Sequence, residues 1–178
     1  MDKLGRLMSS GLPQTIEPLH LAKEGKQIAG QYELRATERL SALLYEDSGR
    51  VSFELEFTRD EENALYCITG YIEASLILTC QRCLGRMELN IKSSISLGIV
   101  SNKDEEAKLA TDYEPLMLTD EPVSLLKLIE DELLLATPFS PMHDEEHCKA
   151  TALINEQYKA EKNKPFAELE KLKQRIHK

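Results

Sequence analysis

A chain of 178 residues with 42% hydrophobic and 30% charged residues can form one domain with its own core, and it has no apolar run long enough to span a membrane. Its net charge of −9 and its 6% aromatic content, without tryptophan, argue against a protein that grips nucleic acid over a broad basic or aromatic surface. The N-terminal residues lack the apolar stretch of a signal peptide, so we expect a cytoplasmic protein whose four cysteines are thiols or metal ligands and not disulfides.

The charge is distributed unevenly along the chain. Residues 101–150 contain 4 Lys and Arg against 13 Asp and Glu, a net charge of −9, whereas residues 151–178 contain 7 against 4, a net charge of +3. We therefore predict a single α+β domain over residues 1–150, followed by a basic tail over residues 151–178 that is helical or partly disordered. The acidic segment can bind a basic partner, and the basic tail can contact phosphate.

The first third of the chain predicts short elements. A short helix is predicted within residues 16–25, because Pro18 suits a first turn and Gly25 suits the position just past the end. Residues 26–34 fit a strand. Residues 37–45 fit either a helix with leucines at helical spacing or an extended segment.

Three longer segments alternate apolar and polar residues, which is typical of half-buried strands. They cover residues 50–57, 64–79 and 86–100 and are joined by short turns. This order predicts an antiparallel meander, with strong curvature or a barrel as its alternative form. Gly70, inside the second segment, indicates a bulge or a close approach of another backbone.

A short strand and a helix are predicted after an acidic, loop-like segment. Residues 113–119 fit the strand. The helix is predicted over residues 122–136, with Asp120 as its cap and Pro138 beyond its end. Its apolar stripe predicts that this C-terminal helix covers one face of the sheet.

Nothing in the sequence predicts an enzyme. Glu130, Asp131 and Glu132 are consecutive on the predicted helix, so they point in different directions and indicate a solvated face, not a magnesium or acid–base site. We recognise no Ser-His-Asp or Cys-His-Asn set and no glycine-rich phosphate loop. We therefore expect no small-molecule substrate.

One pair of cysteines predicts half of a metal site. Cys80 and Cys83 lie two residues apart at the turn between the second and third long strands, and such turns supply half of many structural zinc sites. His143, His147 and Cys148 follow about sixty residues later. If the loop after the helix folds back to the turn, Cys80, Cys83, Cys148 and His143 form a complete zinc ligand set.

Two other interpretations of the cysteine pair are open. A thioredoxin-type redox pair sits at a helix N-terminus, whereas this pair lies between two strands, although Arg82 and Arg86 can favour a thiolate. The pair can also be a packed turn without metal, in which case the protein needs no cofactor.

Several motifs follow one another along the chain. They are Cys80, Arg82 and Cys83, then Tyr113, Glu114 and Pro115, the acidic and apolar helix from Glu130 to Pro138, and His143 with Cys148. Near its start the chain reads "LPQTIEPLHLAKEGKQIAGQYEL", and near its end it reads "NKPFAELEKLK". Together these motifs resemble the YceD family, the large ribosomal RNA subunit accumulation proteins of bacteria and plastids, and the resemblance covers nearly the whole chain.

The resemblance implies a non-enzymatic role in the synthesis, processing or stability of 23S rRNA, and so in ribosome biogenesis. It brings no catalytic residue and leaves metal binding open. The expected functional motif is Cys80, Arg82, Cys83, Arg86, His143, His147 and Cys148, and the expected RNA contacts are Lys162, Lys164, Lys171, Lys173 and Arg175.

The partner is expected to be either 23S rRNA or a large-subunit ribosomal protein. An acidic protein gains little from counterion release over a broad RNA surface, so direct contact with RNA should be local. The alternative is an acidic adaptor, with or without zinc, that engages a basic ribosomal protein and never contacts RNA.

Overall fold

The structure, a computed structural model, describes residues 11–62, 64–119 and 121–151. Its strands are β1 Thr15–Ile16, β2 Gln27–Glu33, β3 Leu44–Glu46, β4 Arg50–Asp60, β5 Leu65–Thr79, β6 Arg86–Val100, β7 Glu114–Met117 and β8 Val123–Ser124. Its α-helices are α1 Pro18–Glu24, α2 Glu38–Ser41, α3 Lys103–Glu106 and α4 Leu125–Ala136, and two 3₁₀ turns cover Leu34–Ala36 and Glu145–His147.

Six strands form one sheet in the order β2–β4–β5–β6–β7, with β3 pairing with β5 beside this path. Strand β5 pairs antiparallel with both β4 and β6, so the predicted meander of these three strands is confirmed. Val51, Phe53, Leu55 and Phe57 on β4 are all buried, as period-two alternation predicts for one face of a strand. The mixed α+β class predicted from the sequence is likewise confirmed.

Gly70 marks a close approach between β4 and β5, one of the two outcomes predicted for it. It pairs with Leu55, and a Cβ atom at position 70 would lie 2.0 Å from the Glu54 carbonyl oxygen. No side chain fits in that space, so glycine is required for the two long strands to pair here.

The sheet is mixed and not wholly antiparallel, which corrects the prediction. Strand β7 pairs in parallel with β6, from Leu97 opposite Glu114 to Val100 opposite Met117. Residues 101–112, expected to be a loop, contain α3 and return the chain to the same edge in the same direction. The barrel alternative is also wrong, because β2 and β7 remain the two edges of the sheet in the part of the chain that the structure describes.

The short early elements agree with their sequence signals. Helix α1 begins at Pro18, and Gly25 ends it in a left-handed conformation with φ of 63°. Residues 37–45, which fitted either a helix or a strand, contain both, since α2 is followed after a two-residue turn by the start of β3.

Helix α4 forms within the predicted range but begins later than predicted. Its first residue is Leu125 and not Pro122, because Val123 and Ser124 pair with β1 as strand β8. The cap is Ser124, whose side-chain oxygen accepts the Lys127 N–H at 3.4 Å. Asp120, the predicted cap, lies outside the described residues.

The buried side of α4 belongs to the same hydrophobic core as the sheet. The helix contacts β5 and β6. That it covers a whole face of the sheet stays a prediction. Its buried apolar side chains are Leu125, Leu128, Ile129 and Leu133.

Glu130 departs from the predicted solvated acidic face of α4, since only 3% of it is exposed. Its carboxylate accepts the backbone N–H groups of Arg39 at 2.6 Å and Leu40 at 3.0 Å, and the Arg39 guanidinium at 3.2 Å. Thr37, the N-cap of α2, makes no side-chain capping bond. A carboxylate from α4 therefore performs the capping function for α2.

Among the helices of the described ranges, none combines the length and the apolarity that crossing a membrane requires. Of the predicted tail over residues 151–178, only Thr151 lies within the described residues.

Candidate metal centre

The turn between β5 and β6 holds two of the four cysteines. The Cys80 N–H donates to the Gly85 carbonyl at 2.9 Å, and the Leu84 N–H donates to the Cys80 carbonyl at 2.8 Å. Leu84 is held in a left-handed conformation with φ of 56°, which costs a non-glycine residue roughly 1–2 kcal/mol. In this tight turn the sulfurs of Cys80 and Cys83 lie close together.

The segment after α4 returns to this turn. The Gln81 N–H donates to the Pro141 carbonyl at 2.8 Å, and Arg82 Nη2 donates to the His143 carbonyl at 2.7 Å. Arg82 Nε also donates to the Cys148 sulfur at 3.2 Å. The fold-back that the zinc hypothesis required is therefore present.

Four side chains converge where the turn meets this segment. The potential ligand atoms of Cys80, Cys83, His143 and Cys148 all lie within 4.8 Å of one another, and Cys83 Sγ is 3.4 Å from His143 Nδ1. Cys80 and Cys148 are buried, and the other two residues are partly buried. Thiolate sulfur and imidazole nitrogen are preferred zinc ligands. The predicted proximity is thus confirmed, and the group can hold a metal ion.

The two thiols of the turn differ in their acidity. Burial acts to raise the pKa of Cys80, but backbone N–H groups of Cys83, His143 and Arg82 outweigh it and lower this pKa to about 5. The Gly85 backbone acts to lower the pKa of Cys83, but burial and the neighbouring sulfurs outweigh it, and this pKa is raised. Cys80 is therefore the thiolate of the pair near neutral pH.

The pKa values of the two groups from the later segment, Cys148 and His143, are shifted in opposite directions. Burial acts to raise the pKa of Cys148, but the Arg82 guanidinium and the Ala150 N–H outweigh it and lower this pKa to about 7. The hydrogen bond to Cys148 raises the pKa of His143, and the Arg86 carbonyl adds to the rise against the effect of burial. The cluster thus favours anionic sulfur beside a hydrogen-bonded imidazole.

The remaining residues of the predicted functional motif lie around this group. Arg86, at the start of β6, places Nε 3.3 Å from the Glu46 carboxylate, and its carbonyl accepts from His143 Nε2 at 3.0 Å. His147 ends a 3₁₀ turn and is exposed, outside the group of four. The predicted RNA contacts Lys162, Lys164, Lys171, Lys173 and Arg175 lie outside the described residues.

Backbone carbonyls make the contribution that sequence analysis missed. The carbonyls of Pro141 and Arg86 hold Gln81 and His143 in place. Because every residue carries a carbonyl, no pattern of residue types marks the ones that are used.

Comparison with known proteins places this cluster inside a matched region. The family described as large ribosomal RNA subunit accumulation protein YceD matches residues 68–173, which include all four clustered residues. The chain is 30% identical over 171 residues to the large ribosomal RNA subunit accumulation protein YceD of Haemophilus influenzae. That alignment covers 92% of this chain and 97% of the relative. No solved structure matches the chain significantly.

Both comparisons therefore agree with the motifs quoted from the sequence. The family match spans more than half of the chain, and the similarity to the relative extends over nearly all of both proteins. On these grounds the chain belongs to the YceD family.

Proposed function

We propose that this protein is a non-enzymatic factor in the biogenesis of the large ribosomal subunit that promotes accumulation of 23S rRNA in the cytoplasm. The observation that carries the proposal is the similarity, over 92% of this chain, to a protein named for large ribosomal RNA subunit accumulation. The function requires no catalytic group, and any bound ion enters it as a structural element.

We propose that RNA contact is local and made mainly by the tail. The acidic residues 101–150 repel a phosphate backbone, whereas residues 151–178 carry a net charge of +3. Arg86 is half exposed at the rim of the cluster and can add to the contact. Arg82 donates to Cys148 and His143, so we assign it to positioning the cluster and not to binding phosphate.

The proposal is tested first by the ratio of mature 23S to 16S rRNA in cells that lack the gene. We expect a deficit of 23S rRNA that the wild-type protein restores. A normal ratio in the deletion strain during both fast and slow growth would overturn the proposed function.

The contact mode is tested by neutralising five charges in the tail. Binding of the wild-type protein to 23S rRNA fragments should weaken as the salt concentration rises. The variant makes fewer contacts to phosphate and so releases fewer counterions on binding, and its affinity should therefore depend less steeply on salt. The variant changes Lys162, Lys164, Lys171, Lys173 and Arg175 to Gln. The matched control changes five exposed lysines of the domain to Gln, which are Lys23, Lys26, Lys103, Lys108 and Lys127. Equal losses in the two variants would contradict a contact through the tail.

A second candidate is the adaptor that engages a basic ribosomal protein without contacting RNA. Its support is the acidic segment, in which α3 has no buried residue and exposes Asp104, Glu105 and Glu106 to a partner. Binding of a basic large-subunit protein at low salt, with no association to rRNA fragments under the same conditions, would favour this candidate.

A further inference from the structure

The cluster of Cys80, Cys83, His143 and Cys148 has the dimensions of a metal site. Zinc–sulfur distances of about 2.3 Å place two sulfurs of a tetrahedral site about 3.8 Å apart. The ligand atoms here lie within 4.8 Å of one another, so the most distant pair needs to approach by only about 1 Å. Rotation of side chains alone covers such a distance.

The orientation of His143 presents a ring nitrogen to the three sulfurs. Nε2 lies 3.0 Å from the Arg86 carbonyl, which can only accept a hydrogen bond, so Nε2 carries the proton. In the neutral ring, Nδ1 then keeps its lone pair, and Nδ1 faces Cys83 Sγ at 3.4 Å. Histidine ligands of metals commonly hold their second nitrogen in this way, by donating to a carbonyl.

The charges around the cluster also fit a divalent cation. Three thiolates and one neutral imidazole around Zn²⁺ leave one net negative charge. The Arg82 guanidinium, whose Nε donates a hydrogen bond to Cys148 Sγ at 3.2 Å, supplies the compensating positive charge. The same side chain holds the His143 carbonyl at 2.7 Å, and so it orients the segment that carries both later ligands.

Neither alternative interpretation of the cysteine pair uses all of these features. A disulfide or redox pair needs two sulfurs and leaves the third cysteine and the oriented imidazole unexplained. A packed turn needs no convergence of four donors from segments about sixty residues apart in sequence.

We propose that Cys80, Cys83, His143 and Cys148 bind one Zn²⁺ ion tetrahedrally, and that the ion fastens residues 141–151 to the turn between β5 and β6. All four coordination positions are filled by protein, which is the mark of a structural zinc site and not a catalytic one. The ion stabilises the fold because its binding is coupled to the native arrangement of the two segments. This role goes beyond the proposed function and does not depend on any RNA contact.

The test uses the full-length protein purified without chelator and supplied with Zn²⁺. Native mass spectrometry and elemental analysis should each find one zinc per chain, and Co²⁺ in place of zinc should give the visible spectrum of a tetrahedral thiolate site. Addition of a strong chelator should lower the Tm of the wild-type protein. A metal-free mass after incubation with Zn²⁺, or a Tm that chelator leaves unchanged, would overturn the proposal without any variant.

Matched variants then locate the ligands. His143→Gln, Cys83→Ser and Cys148→Ser should each weaken zinc binding by more than about tenfold, the loss that removal of a mere outer-shell partner of a ligand already causes. The controls are His147→Gln, an exposed histidine four residues from His143, and Cys67→Ser, a buried cysteine whose neighbour is the Thr58 hydroxyl. Both controls should keep one zinc per chain. Retention of stoichiometric zinc by the Cys83→Ser, Cys148→Ser double variant would refute the assigned ligand set, and circular dichroism identifies any variant that fails to fold.

Discussion

Replacing Glu130 by Ala tests whether a carboxylate on α4 holds α2 in place. The change removes the acceptor of two backbone N–H groups, those of Arg39 and Leu40, and Leu40 is fully buried. An unsatisfied buried donor costs about 1–3 kcal/mol, and the Arg39 backbone is the more accessible of the two to water. We therefore expect Glu130→Ala to lower the free energy of unfolding by about 3 kcal/mol.

For a chain of this length, that loss corresponds to a fall of about 6–12 °C in Tm, measurable by circular dichroism or calorimetry. Glu130→Gln keeps a carbonyl acceptor for the two N–H groups but loses the charge that attracts the Arg39 guanidinium. Since hydrogen bonds to charged groups are stronger than neutral ones by about 1 kcal/mol, this variant should lose only about that amount.

Asp131→Asn is the matched control for these two variants. Asp131 pairs with the same Arg39 guanidinium, but its side chain is 52% exposed, and exposed ion pairs contribute little. We expect a change within about 0.5 kcal/mol. If Glu130→Ala and Asp131→Asn shift the Tm by equal amounts, the buried carboxylate of Glu130 contributes no more to stability than the exposed one of Asp131, and the reasoning is wrong.

Two further predictions concern acid stability and the packing of the sheet. Burial acts to raise the pKa of Glu130, but the Leu40 and Arg39 N–H groups and the Arg39 guanidinium outweigh it, so its folded-state pKa lies below its usual value of 4.5. Its stabilising contribution is then present above that value and lost as the pH falls through the lower folded-state pKa. The Tm difference between wild type and Glu130→Gln should hold steady from neutral pH down to about pH 5 and shrink in stronger acid; a difference independent of pH would contradict this. Gly70→Ala should cost roughly 3 kcal/mol or prevent folding, because its Cβ would meet a carbonyl oxygen of β4 at 2.0 Å. Gly98→Ala, whose Cβ meets the tip of the Leu109 side chain at 2.3 Å, should cost about 1 kcal/mol, and equal urea midpoints for the two variants would refute the distinction.

Local patterns were sufficient to predict the elements whose structure depends on neighbouring residues. The alternation along β4, β5 and β6 predicted the three strands, and along β4 it also predicted the buried face, because side chains of a strand point to opposite sides at every step. Pro18 and Gly25 predicted both ends of α1, because each restricts or permits the backbone angles required there. These are properties of a residue and its immediate chain neighbours.

The residues of the candidate site were predictable from the sequence, but the contacts that bring them together were not. Cysteine and histidine spacing was enough to single out Cys80, Cys83, His143 and Cys148 before their proximity was known. The contacts that bring them together are the Gln81 N–H to the Pro141 carbonyl and Arg82 to the His143 carbonyl. These contacts join distant segments. The first is made entirely by backbone atoms and the second ends on a backbone carbonyl, and residue identity does not reveal which backbone atoms are used.

Only the tertiary structure decided the direction of β7 and the environment of Glu130. The sequence around Glu114 fits a strand in either direction, and the path of residues 101–113 makes its pairing with β6 parallel. Glu130 stands beside two other acids, a pattern that predicts solvent, but α2 packs against this part of α4 and brings two N–H groups to the carboxylate. The sequence by itself determined the period of the strands, both ends of α1 and the types of ligand, since these follow from local geometry and side-chain chemistry. Which residues from distant parts of the sequence contact one another depends on how the whole chain buries its apolar surface.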